Sequence, residues 1–113
     1  MKICAVVPSY NHVSAIGGTI ARLRDAGLWV FVVDDGSAPD AARLLRSLES
    51  PGVVVSRLEV NQGKGGAVVE GFRLAREGGF THAVQVDADG QHDLDAIPSL
   101  LAAARENPDA LIA

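Results

Sequence analysis

Four short apolar runs constrain this chain more than any other feature: Ile3-Cys4-Ala5-Val6-Val7, Trp29-Val30-Phe31-Val32-Val33, Val53-Val54-Val55 and His82-Ala83-Val84-Gln85-Val86. A strand with one wet face alternates polar and apolar residues, and these runs do not, so each reads as a strand buried on both faces. Strands of that kind belong to parallel sheets, whose crossovers cover both sides. The intervening segments carry helical spacing. Val13, Ile16, Ile20 and Leu23 form one stripe, closed by Gly27, and Ala41, Leu44, Leu45 and Leu48 form the next. Ser37 is predicted to cap that second helix, with Pro39 in its first turn. A third helix is predicted from about Ala67 to Arg76, closed by Gly78-Gly79. A last one, capped by Asp93 or Asp95, carries Ile97, Leu100, Leu101 and Ala104 and stops at Asn107-Pro108. Leu111-Ile112-Ala113 reads as the opening of a fifth strand. The predicted fold class is α/β: an open, mainly parallel sheet with helices on both faces, a three-layer α/β/α arrangement.

The chain has 113 residues, one domain's worth or part of a larger domain. Its formal charge of −4 argues against an electrostatic grip on nucleic acid or anionic membrane, because both need clustered Lys and Arg. An anionic ligand would need a metal ion or local backbone donors. Cys4 is the single cysteine, so no internal disulfide forms, and its apolar neighbours make it a buried small hydrophobe. The apolar runs are far shorter than the roughly 18–20 residues that span a bilayer. The expected location is cytoplasmic, at the cytoplasmic face of the membrane if a longer parent chain is anchored there.

In open α/β sheets ligands bind outside the carboxyl ends of the strands. The unusual segments gather at such ends: Pro8-Ser9-Tyr10-Asn11, Asp34-Asp35-Gly36-Ser37, Asn61-Gln62-Gly63-Lys64-Gly65-Gly66 and Asp87-Ala88-Asp89-Gly90-Gln91-His92. Asp87 and Asp89, at i and i+2 after the fourth strand, can aim two carboxylates at one point, which a divalent cation would stabilise; alternatively they start a turn or cap the next helix. Oxygen donors favour Mg2+ or Mn2+, and Gln91 can add an amide oxygen or tie the loop together. His12 and His92 lack a second His or Cys at ligand spacing, so zinc is not expected. Asp34 and Asp35 can accept from a ribose hydroxyl or a base N–H, or serve the turn. Tyr10 offers a flat face for stacking a base, or fills its loop. The glycine loop can bring backbone N–H groups and Lys64 to a phosphate, or act as a turn alone; it completes neither the phosphate-loop pattern nor the dinucleotide pattern.

Taken in order, these four segments resemble the family 2 glycosyltransferases, and the Gln91-His92 ending is most similar to the polyprenyl-phosphate, dolichol-phosphate mannose synthase-like branch. The resemblance spans residues 3–95 and implies the nucleotide-sugar-binding half of a GT-A fold. It implies that Pro8, Ser9, Tyr10, Val33, Asp35 and Ala88 line the site for a UDP- or GDP-sugar, with Asp34 in support and Lys64 as a neighbour. It also implies that Asp87, Asp89 and Gln91 hold Mg2+ or Mn2+ on the diphosphate. Many members carry Glu after Tyr-Asn, where this chain has His12. The implied reaction is inverting transfer of the sugar to a polyprenyl phosphate or a saccharide.

The acceptor-activating carboxylate of such enzymes is expected beyond Ala113, so residues 1–113 read as a donor portion without the acceptor half, inactive in transfer by itself. A cut edge would favour self-association. Two other classes share the α/β pattern. A receiver or flavodoxin-like module would want an Asp ending the third strand, where Leu58-Glu59 stands. A nucleotidyltransferase would want a glycine-rich Arg-Lys segment after the first strand, where Pro8-Ser9-Tyr10 stands.

Overall fold

The computed structural model describes residues 2–11 and 13–88, with helical backbone also at positions 98, 99, 102 and 106. The elements follow the predicted alternation: β1 (Ile3–Ser9), α1 (Ile16–Asp25), β2 (Trp29–Asp35), α2 (Pro39–Ser47), β3 (Val53–Leu58), α3 (Gly63–Glu77) and β4 (His82–Gln85). Among the described residues the four strands pair in parallel, in the order β3-β2-β1-β4. The four helical positions fall within the predicted last helix. Its proposed caps and the fifth strand lie outside the described residues.

Both faces of the sheet are covered, as the uninterrupted apolar runs require. On one face Ala5, Val7, Val30, Val32, Val53 and Val84 pack with Ile16, Ile20 and Leu23 of α1 and Leu45 of α2. On the other, Cys4, Val6, Phe31 and Ala83 meet Ala75 of α3, with Phe72, Leu74 and Phe80 alongside. Small residues let α3 approach closely: a Cβ on Gly71 would overlap Val6 Cγ1. Cys4 is fully buried, and burial pushes its thiol pKa up to about 12. Among the described residues, no helix is long and apolar enough to cross a membrane.

Two helix starts differ from the sequence-based expectation. The cap of α2 is Ala38, with Pro39 at the first helical position and no side-chain capping bond. Ser37 does not cap because its hydroxyl is engaged elsewhere, accepting from the Asn11 N–H at 2.9 Å. The Asn11 carboxamide oxygen accepts from the Ala38 N–H at 2.7 Å, so a neighbouring loop supplies the capping contact. Helix α3 begins at Gly63, four residues before Ala67, despite the poor helix propensity of glycine. A carboxylate from β2, that of Asp35, anchors that early start.

The strand order locates the site. From β1 the chain steps outward to β2 and β3, then α3 carries it back past β1 to β4 on the other side. The crevice where the direction reverses, at the carboxyl ends of β1 and β4, is where open α/β sheets bind ligands.

Candidate functional site

A cavity of about 150 Å3 opens at that reversal point, lined by Pro8, Ser9, Tyr10, Asp35, Lys64, Ala67 and Asp87. Its walls come from the ends of β1, β2 and β4 and from the first turns of α3. Tyr10 is 52% exposed, so its ring is presented to the cavity mouth rather than packed as a loop filler. Ala67, fully buried in α3, is a wall residue that the sequence pattern marks only as the start of the third helix.

Asp34 and Asp35 are adjacent in sequence and do different things, because successive residues of a strand point to opposite faces. Asp35 lies at the cavity, and its carboxylate holds the following loop. Oδ1 accepts from the Gln62 N–H at 2.7 Å, and Oδ2 from the Asn61 side-chain amide at 3.1 Å, while the same amide donates to the Asp35 carbonyl at 3.0 Å. Gln62 is the cap residue of α3, which has no acid in its own first turn and no side-chain capping bond. Asp35 thus supplies from β2 the negative charge that a helix start favours, which accounts for α3 beginning within the glycine segment. Gly36 permits this approach: it adopts φ +76°, and a Cβ there would lie 2.8 Å from the Asn61 nitrogen.

Asp34 faces the other side of the sheet. It is 1% exposed and accepts from the Ser37 N–H at 2.9 Å and from Arg57 Nη1 at 2.7 Å, while Arg57 Nη2 donates to the Ser37 carbonyl at 3.1 Å. It borders a separate cleft of about 330 Å3 between α2 and β3. The structure therefore makes Asp34 a buried anchor of the β2–α2 turn. Arg57, which the sequence reading did not single out, is its counter-charge, with β3 paired to β2 so that Asp34 and Arg57 stand side by side.

The fourth segment divides in the same way. Asp87 reaches the cavity, and its Oδ1 lies 2.6 Å from Lys64 Nζ. Ala88 turns into the core between the sheet and α1, and its carbonyl accepts from the Thr19 hydroxyl at 2.9 Å. Val33 is fully buried beside Pro8 in the sheet register and is not among the residues that line the cavity. Asp89 and Gln91, the other two residues assigned to a metal, lie outside the described residues, as does His12. Among the described residues, no three His, Cys, Asp or Glu side chains gather into a metal-binding group. Asp87 has the donor chemistry for a hard divalent cation: a half-exposed carboxylate at the cavity, already in contact with a positive group.

The chain is similar to known proteins over most of its length. It is 39% identical over 110 residues to the undecaprenyl-phosphate mannosyltransferase of Micrococcus luteus, covering 93% of this chain and 45% of that one. The UDP-N-acetylglucosamine–dolichyl-phosphate N-acetylglucosaminyltransferase of Methanococcus voltae is 30% identical over 114 residues, covering 88% and 45%. The dolichol-phosphate mannosyltransferase of Pyrococcus furiosus is 32% identical over 117 residues, covering 99% and 32%. The chain thus spans less than half the length of these curated relatives. No solved structure matches it significantly. The family model described as "Glycosyl transferase family 2" matches residues 4–113, which include every cavity-lining position, and on that match the chain belongs to glycosyl transferase family 2.

Proposed function

We propose that residues 1–113 form the donor-binding portion of a glycosyltransferase that takes a sugar from a nucleoside diphosphate, UDP or GDP, and transfers it to a polyprenyl phosphate. The observation that carries this reading is the convergence of Tyr10, Asp35, Lys64 and Asp87 on one cavity at the sheet's reversal point. The family match supports glycosyl transfer, and the names of the relatives support a polyprenyl-phosphate acceptor.

Each lining residue has a chemical task in this reading. The Tyr10 ring stacks on the base, and Asp35 uses lone pairs left over from Asn61 and Gln62 to accept from a base N–H or a ribose hydroxyl. Lys64 and the amino end of α3 face the diphosphate. Asp87, with Asp89 and Gln91, holds a divalent cation, Mg2+ or Mn2+. Such an ion, when bound, acts as a Lewis acid on the leaving diphosphate. In the transfer, the bond between the sugar's anomeric carbon and the diphosphate oxygen breaks. An acceptor oxygen bonds to the same carbon from the opposite side, so the configuration inverts. A phosphate acceptor carries its charge already at neutral pH, so that oxygen needs no proton removed.

The test is calorimetric titration of UDP and GDP into the chain with and without Mn2+, for wild type and Asp87→Asn. One nucleotide should bind with Mn2+ dependence, and Asp87→Asn should weaken it by about tenfold or more. Binding that ignores both Mn2+ and the substitution would refute the reading.

A further inference from the structure

Lys64 Nζ lies 2.6 Å from Asp87 Oδ1, a direct ion pair inside the cavity between α3 and the end of β4. The two side chains are 59% and 48% exposed, so the pair is wet and weak enough to exchange partners. Lys64 stands at the second position of α3, on a long flexible side chain, and the space beside its neighbour Gly65 is open. An ammonium on one carboxylate oxygen and a dication on the same oxygen repel each other at that distance.

We infer that Lys64 and the divalent cation compete for the Asp87 carboxylate, and that the donor's diphosphate settles the competition by drawing Lys64 onto itself. This rests on the reading of Asp87 as a cation ligand. Its consequence is thermodynamic coupling. Nucleotide diphosphate strengthens cation binding by removing a competitor as well as by adding oxygen ligands, and by reciprocity the cation strengthens nucleotide binding by the same factor. Lys64 then acts as a selector that disfavours the cation alone and favours the cation together with the diphosphate.

Mn2+ binding, followed by electron paramagnetic resonance of the free ion, tests this on wild type, Lys64→Met, Lys64→Arg and Asp87→Asn, each with and without UDP or GDP. Without nucleotide, Lys64→Met should bind Mn2+ about two- to fivefold more tightly than wild type, the range set by an exposed ion pair. Lys64→Arg, which keeps the charge, should stay near wild type. With nucleotide, the enhancement of Mn2+ affinity should be smaller in Lys64→Met than in wild type. Equal or weaker Mn2+ binding by Lys64→Met without nucleotide would overturn the competition. Asp87→Asn separates the two claims: lost Mn2+ binding there leaves the cation role of Asp87 standing whatever Lys64 does. Undiminished binding in Asp87→Asn, or no Mn2+ binding by any of the proteins, removes that role and the competition with it.

Discussion

Gly36→Ala and Gly27→Ala place the same methyl group on the same kind of backbone in two different surroundings. Both glycines have left-handed backbone, with φ of +76° and +84°. Around Gly27, which ends α1 at the amino side of the sheet, an added Cβ has no atom within 4 Å. At Gly36 it would lie 2.8 Å from the Asn61 nitrogen and 3.2 Å from the Val60 carbonyl carbon, and neither backbone atom can rotate away as a side chain would. The left-handed conformation costs alanine about 1–2 kcal/mol at either position. At Gly36, pushing two backbone segments apart adds about 1–3 kcal/mol. With a urea m-value of about 1–2 kcal/mol/M, Gly27→Ala should lower the unfolding midpoint by about 1 M and Gly36→Ala by about 2 M. Circular dichroism in urea measures both. The two should also separate in function. Displacing Asn61 and Gln62 disturbs their bonds to Asp35 and weakens nucleotide binding, whereas Gly27→Ala, at the far end of the sheet, leaves binding unchanged. Equal destabilisation of the two variants, with nucleotide binding intact in both, would refute the argument that Gly36 exists to let the glycine loop approach β2.

Cys4, with its thiol pKa raised from 9.0 to about 12 by burial, should resist thiol reagents at pH 8 in the folded chain and react once urea unfolds it. The linkage has a definite sign. Between pH 9 and 12 the unfolded chain loses the thiol proton while the folded chain keeps it, so stability should fall across that window, and Cys4→Ala should flatten the fall in alkaline urea titrations. Gly71→Ala should cost about 1–3 kcal/mol because its Cβ overlaps Val6, and Val6→Ala should recover part of that loss in the double variant; strictly additive losses in denaturant unfolding would count against the close α3–β1 packing.

What the sequence made legible follows from where tertiary structure leaves local patterns alone. The strands were readable because burial on both faces leaves unbroken aliphatic runs, and Val30–Val33 or Val53–Val55 admit few other interpretations. Helix starts were less so. Ser37 looked like a cap by local rules, yet its hydroxyl is taken by Asn11, 26 residues away. The glycines at 63, 65 and 66 looked like loop because propensity does not register a carboxylate arriving from β2. Site residues were legible as segments but not as faces. Val33 and Ala88 stand inside functional-looking segments and pack in the core, while Asp34 needs Arg57, a partner visible only once β3 lies beside β2.

The division of the aspartates decides what the cavity can hold. Asp34 is neutralised by Arg57 on the far face and leaves the cavity's balance untouched. Among the lining residues, two carboxylates, Asp35 and Asp87, face one ammonium, Lys64. That balance tolerates a neutral nucleoside, whose base and ribose need only stacking and hydrogen bonds. It opposes a diphosphate unless a further cation is bound. Uridine or guanosine should therefore bind with little dependence on Mn2+, whereas the matching diphosphate should bind more weakly than the nucleoside without Mn2+ and more tightly with it. High salt, which screens exposed charges, should narrow the difference measured without the metal. A diphosphate that outbinds its nucleoside in metal-free buffer would show that the amino end of α3 and Lys64 suffice to hold the phosphates, and would place the role of Asp87 elsewhere than in recruiting a cation.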